Sequence, residues 1–234
     1  MSLNGTVDDL IKDGDTVGVS HYLIHSVATT PKQVKSINEF ISYEVKEHPD
    51  LFTGFGSLHP DSEDIEGDLD YLIELGLKGV KVHPDFQQFA LNEERAFKMG
   101  KAINERGVPI MIHCGDFRYA YSNPEQLKPF LEEFPDLTVI GAHFAGWSMW
   151  EKATEELAGT PNLYVDTSSS LYSLSPETAR DLIHAYGAEK VLWATDFPMW
   201  ESKSEMDMFD KIDLTDEERN MILYENVAKL LGLK

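Results

Sequence analysis

Cys114 is the only cysteine among 234 residues, so no internal disulfide can form and nothing suggests a secreted, disulfide-stapled design. Positive charge is scarce: 20 Lys+Arg stand against 41 Asp+Glu, a formal net charge of -21. Such a surface repels polyphosphate backbones and anionic lipid headgroups, which argues against nucleic-acid and membrane partners. No apolar run approaches the roughly 18 residues of a spanning helix, and no secretory leader opens the chain, so a cytoplasmic location is expected. Neither GxGxxG nor GxxxxGK[ST] follows an early strand, which weakens a nucleotide-binding reading. No low-complexity stretch or Pro/Gly-rich linker divides the chain, and one domain over residues 1–234 is expected.

What is present is 42% hydrophobic residues, enough for a sizeable core. Short runs rich in Val and Ile alternate with longer amphipathic segments. The runs are Val17–Ile24, Phe52–Leu58, Gly79–Val82, Val108–Ile112, Leu137–Ala142, Leu163–Val165 and Val191–Thr195. Each is too short for a helix and largely apolar on both faces, as in strands of a buried parallel sheet. Between them Lys32–Glu47, Ile65–Leu75, Glu93–Glu105, Pro124–Glu133, Trp150–Leu157 and Pro176–Tyr186 carry helical stripes, followed by Thr215–Leu223 and Val227–Leu231 with Gly232 as C-cap. Strand alternating with helix implies right-handed βαβ units, and about seven of them predict an α/β fold, a (β/α)8 barrel or a doubly wound sheet.

The polar residues that end the runs are more informative. In chain order they are His25, His59, His83, His113, His143, Asp166 and Asp196. In a barrel these ends form one rim, where active sites lie. His59 and His83, each followed by proline, either line that rim or hydrogen-bond a loop carbonyl; His25 is open between structure and pocket. His113, flanked by Ile-Met-Ile and Cys114, needs a partner if buried, and a metal-binding or catalytic role follows; the same holds for His143. A carboxylate at Asp196, after Val-Leu-Trp-Ala-Thr, suits a metal ligand or general base. Asp166, before Ser168–Ser170, reads equally as a cap. Cys114 is expected as a small buried hydrophobe, and His48 and His184 as surface or packing residues. Arg118, in the loop after the His113 strand, could clamp a substrate carboxylate or form a surface ion pair.

VHPDFQ around His83, IMIHCGDFRYAYS around His113, VIGAHFAGW around His143 and VLWATDFPMW around Asp196 resemble the amidohydrolase superfamily, in particular the branch that includes aminocarboxymuconate-semialdehyde decarboxylase. The resemblance spans nearly the whole chain. It implies a metal-bearing (β/α)8 barrel in which His113 and Asp196 are metal ligands and His143 and Asp196 are catalytic; His25, His83 and Arg118 are the candidate substrate contacts by their own positions at strand ends and in the loop after the His113 strand. Zn²⁺ is the expected ion. It also implies that Val17–Ile24 is the family's second strand, leaving seven strands in this chain.

The family's first strand carries His-x-His, and none occurs here. The chain opens inside what resembles the helical lead-in to the second strand, so a shortened catalytic protein is expected, with a natural member lacking the standard site as the alternative. The implied function is a metal-dependent hydrolase of a small organic substrate; a non-oxidative decarboxylase and a catalytically silent binding barrel are the alternatives. Weak metal binding is expected, and if the ion is held tightly His25 or His83 becomes the next suspected ligand. Two unpaired sheet edges, at the first and last strands, suggest a homo-oligomer or N-terminal residues folded across the gap.

Overall fold

The computed structural model describes residues 3–233. The apolar runs form seven parallel strands: β1 (Tyr22–Ile24), β2 (Phe52–Ser57), β3 (Gly79–Val82), β4 (Ile110–Ile112), β5 (Val139–Gly141), β6 (Leu163–Asp166) and β7 (Val191–Leu192). They pair in chain order, β1-β2-β3-β4-β5-β6-β7, with every neighbour parallel, and β1 does not pair with β7 among the described residues. The helices are α1 (Val7–Asp15), α2 (Val34–Glu47), α3 (Ile65–Glu74), α4 (Pro84–Gln87), α5 (Glu94–Arg106), α6 (Pro124–Glu133), α7 (Trp150–Leu157), α8 (Pro176–Tyr186), α9 (Ser202–Phe209), α10 (Asp216–Asn220) and α11 (Asn226–Leu231). This is the expected α/β architecture, a (β/α) barrel one strand short.

Strand alternation sorts side chains into two layers. Val80, Val82, Ile110, Ile112, Val139, Leu163 and Val165 face the helices and join the large core. Phe55, Met111, Ile140 and Leu192 face inward and form a second cluster, with Leu23 and Tyr164 packed on it. Lys81 lies between Val80 and Val82, and its register partner is Met111, so it belongs to the inward face. On the helix side the approach is close: a Cβ on Gly54 would stand 2.7 Å from Ile41 Cγ2 of α2.

Several strands are shorter than expected, for identifiable reasons. The Val17–Ile24 run begins with a turn, because Val17 and Val19 both donate to Gly14 O and Gly18 takes φ 76°. The Val191–Thr195 run leaves the ladder after Leu192: Trp193 N donates to Ile222 O, in a π-helical turn over Met221–Glu225, and Ala194 N donates to Thr167 Oγ1. Two helices lie outside the helical segments expected: α4 is one turn started by Pro84, and α9 is a short helix after the last strand; α1, capped by Thr6, is the helical lead-in that the resemblance implied.

Two devices flank the side where a strand is missing. From the C-terminal end, Val227, Leu230 and Leu231 of α11 pack into the inner cluster, and Asn226 Nδ2 donates to Ala188 O at 2.7 Å and Val191 O at 2.8 Å beside β7. From the N-terminal end, α1 packs on α9, where Asp13 Oδ2 accepts from Ser202 N at 2.9 Å and Ser202 Oγ at 2.6 Å. α1 therefore ties the approach to β1 to α9 after β7, while the two edge strands line one cavity between them.

Asn226→Ala would leave one buried and one partly buried carbonyl without their donor and should lower stability by roughly 1–3 kcal/mol; an unchanged urea-unfolding midpoint would show that α11 does not secure the β7 edge. Glu205 of α9 gives a second expectation. Its side chain is fully buried, and both carboxylate oxygens lack a partner. Burial, and then the charge of Asp196, push its pKa from 4.5 up to about 7. The unfolded chain releases this proton near the ordinary value, so the stability held with the acid protonated declines as pH rises from about 4.5 to 7. Glu205→Gln should therefore be the more stable protein above pH 7, by up to about 3 kcal/mol, with the gain disappearing below about pH 4.5. Thermal melts of both proteins across pH 4–8 test this, and a gain independent of pH would refute it.

Candidate metal centre and active site

Register explains why two histidines meet. Lys81 pairs with Met111, and two residues further along the same inward face stand His83 and His113. Their rings stack at 3.7 Å between centroids, 10° from parallel, and His113 N extends the ladder by donating to Val82 O. Phe86 stacks on the other face of His83 at 3.7 Å. Pro84 starts α4 immediately after His83, and this turn folds Asp85 back onto the pair. Asp85 Oδ2 lies 3.5 Å from His113 Nε2 and 3.8 Å from His83 Nδ1, and it accepts from Ser122 Oγ at 2.8 Å. The three donor atoms lie within 4.8 Å of one another.

His143 follows β5 on a left-handed turn, with φ 62°, 51° and 56° at His143, Phe144 and Ala145. Such backbone is costly for residues with a Cβ and must be held by its surroundings. Asp166 holds it: its Oδ1 accepts from His143 N and from Ser168 N, each at 3.0 Å, and from Ser168 Oγ, while its carbonyl accepts from Phe144 N. This is the capping role open to Asp166 from the sequence. His143 Nδ1 lies 3.0 Å from Ser168 O, and its Nε2 lies 3.0 Å from His113 Nδ1.

His113 Nε2 lies 3.1 Å from Gly115 O as well as beside Asp85. A carbonyl only accepts, so Nε2 carries a hydrogen when it bonds Gly115 O and gives that hydrogen up to bind a cation. Burial, reinforced by neighbouring positive groups, pushes His113 well below its ordinary pKa and His83 down to about 3, so both are neutral near pH 7. Burial pushes the Asp85 carboxyl upward. Neutral nitrogens around a carboxylate are the donor chemistry of a divalent-ion site, and the amidohydrolase pattern requires such an ion. The residues fit it.

Beside this group opens a cavity of about 690 Å³ that runs along the gap between β1 and β7, lined among others by His25, Lys81, His143, Asp166, Ser168 and Asp196. Asp196 sits at φ 58°, and its Oδ2 accepts from Ser169 Oγ at 2.7 Å, which in turn accepts from Trp200 Nε1. Lys81 is only 5% exposed. Burial lowers its pKa against the opposing pull of Asp166 and Asp196, and its ammonium makes no hydrogen bond or ion pair among the described residues. Burial, with Lys81 next in weight, lowers His25 to about 3.

The structure therefore gathers His25, His143 and Asp196 on one cavity, with His83 and His113 joined to it through the His113–His143 hydrogen bond. Arg118 stands apart on its loop: its guanidinium is bound by Asp116 and lies 5.4 Å from the Trp147 ring. His59 is buried and its Nδ1 accepts from Asp61 N, the structural alternative. His48 caps α2, His184 pairs with Glu218, and Cys114 is buried, its thiol donating to Ile112 O. Lys81, Asp85 and Ser169 escaped the sequence reading. A lysine inside an apolar strand was the available signal for the first; Asp85 carried none beyond standing two residues after His83.

Comparison with known proteins follows this geometry. The amidohydrolase family model matches residues 8–233. No curated protein sequence matches the chain significantly. An uncharacterised TIM-barrel protein from Bordetella bronchiseptica superposes with TM-score 0.81 at 21% identity, over 97% of this chain and 83% of the other. A dihydroxybenzoic acid decarboxylase from Polaromonas, with bound manganese and the inhibitor 2-nitroresorcinol, gives 0.76 at 17% identity, over 97% and 86%. A probable 2-pyrone-4,6-dicarboxylic acid hydrolase from Acinetobacter baumannii, with citric acid bound, gives 0.72 at 19% identity, over 97% and 89%. At these identities the likeness speaks for the TIM-barrel fold. With the family model covering almost every residue, the chain belongs to the amidohydrolase family.

Proposed function

We propose that the chain is a metal-dependent hydrolase acting on a small organic substrate. The observation that carries this reading is the convergence of Asp196, His143 and Lys81 on one cavity, with neutral His113 hydrogen-bonded to His143 at its edge. His113 and Asp196 would hold the ion. A divalent ion there acts as a Lewis acid and lowers the pKa of a bound water towards ~7.

The chain's own groups do the rest. Ser169 fixes Asp196 through Oδ2, which leaves Oδ1 to take the proton of an attacking water. His143, locked by Ser168 and Asp166, holds or moves a proton at Nε2. Lys81 and His25 present N–H groups to negative charge developing on the substrate. Arg118 binds a substrate carboxylate at the rim, with Asp116 steadying it.

A second reading, non-oxidative decarboxylation, is favoured by Lys81: a buried cation without a partner, on a cavity wall, can seat a carboxylate. There the C–C bond to the carboxylate breaks, CO₂ leaves, and Asp196 or His143 delivers a proton to the carbon. The decarboxylase among the structural neighbours supports this alternative. A panel of esters, lactones and amides assayed for hydrolysis, beside small carboxylic acids assayed for CO₂ release, separates the two. No turnover of either kind would leave a catalytically silent binding barrel.

Zinc is the first ion to test and manganese the second, since the Polaromonas protein carries manganese. We also read the chain as a cytoplasmic homo-oligomer, on its buried free cysteine and the open outer edge of β1; a monomeric mass by light scattering would overturn the assembly. Asp196→Asn should lower kcat by about 10²–10⁴-fold while leaving the melting temperature within a few degrees. Unreduced turnover in that variant would remove Asp196 from the chemistry.

A further inference from the structure

The geometry points to a three-ligand divalent-cation centre made by His83, Asp85 and His113, in which His83 and Asp85 occupy the places that a His-x-His pair would fill. This inference rests on the metal-dependent reading above and names the ligands that complete it.

Three observations support it independently of the family pattern. First, the distances suit one ion. Two ligand atoms each about 2.1 Å from a tetrahedral ion stand about 3.4 Å apart, and Asp85 Oδ2 is 3.5 Å from His113 Nε2 and 3.8 Å from His83 Nδ1. Those separations are too long for hydrogen bonds between the groups. Secondly, His83 Nδ1 is buried and makes no hydrogen bond among the described residues, beside an Asp85 side chain only 4% exposed. A buried imidazole nitrogen left this way costs about 1–3 kcal/mol, and a cation shared with Asp85 Oδ2 relieves it.

Thirdly, supporting groups already orient each ligand. His143 Nε2 lies 3.0 Å from His113 Nδ1, Ser122 Oγ donates to Asp85, Gln87 Oε1 accepts from His83 N, and Phe86 covers the free face of the His83 ring. Orienting hydrogen bonds of this kind accompany metal ligands. Two imidazoles and one carboxylate suit Zn²⁺, Co²⁺ or Mn²⁺.

The test is metal binding by the purified full chain, stripped with chelator and titrated with Zn²⁺ or Co²⁺ alone. Calorimetry and elemental analysis would give the stoichiometry, and the visible spectrum of the Co²⁺ form its coordination. One ion per chain is expected. His83→Gln and Asp85→Asn should each weaken binding by more than the roughly 10–100-fold that loss of an outer supporting partner costs, and change the Co²⁺ spectrum. Circular dichroism of each metal-free variant controls for folding. Should Asp85→Asn fold poorly, Ser122→Ala supplies the second arm, with a shifted Co²⁺ spectrum and weaker binding expected. Wild-type affinity and spectrum in both His83→Gln and Asp85→Asn, while His113→Ala or Asp196→Asn loses the ion, would overturn this ligand set and leave the metal-dependent reading standing. No ion bound by the wild-type chain would overturn both.

Discussion

The hydrogen bond between His113 Nδ1 and His143 Nε2 joins the two halves of the site, and most of the local architecture serves to place its two ends. His113 is positioned by parallel pairing alone, since register with β3 carries it to the rim beside His83. His143 needs more: three residues of left-handed backbone, an aspartate accepting three hydrogen bonds, and a serine carbonyl on the far side of the ring. One line of contacts thus runs from Asp166 on β6 through His143 and His113 to Asp85 on α4, across four segments distant in sequence.

Electrostatics explains why such a cluster can exist in a chain of net charge -21. The surface is strongly acidic, yet the cavity wall carries Lys81 and His25, and burial keeps the rim histidines neutral. Neutral imidazoles can share a small volume without mutual repulsion, and the field of Asp166 and Asp196 tempers the cost of burying Lys81. An anionic group entering the cavity would leave the repulsion of the outer surface for N–H donors within it.

A sheet lacking one barrel strand must protect two edges. Here the protection is local at β7, where Asn226 and the Met221–Glu225 turn take up backbone groups, and helical elsewhere, where α1 rests on α9 through Asp13 and Ser202. The inner core is likewise completed by α11 rather than by a strand, through Val227, Leu230 and Leu231. Glu205 lies in this same α9 region with neither oxygen hydrogen-bonded among the described residues, which makes the region sensitive to pH.

Much of this was written into the order of residues. The periodicity of Phe52–Leu58 or Pro124–Glu133, and a polar residue closing each apolar run, depend on local spacing and report it directly. So did the strand ends that carry His25, His83, His113, His143 and Asp196. Shortened strands were not legible, because β1 begins and β7 ends where backbone groups find partners in Gly14, Thr167 and Ile222, which no local pattern announces. The same holds within the site. Lys81 reads as an interruption in an apolar strand until register sets it beside Met111 on the inward face, and Asp85 reads as a loop residue until the single turn of α4 folds it against two rings. Sequence by itself determined which chemistries reach the rim, because alternation and run length are properties of neighbours along the chain. Tertiary structure alone decided which of them meet, because strand register, the left-handed turn at His143 and the burial that keeps the imidazoles neutral arise only between segments far apart in sequence.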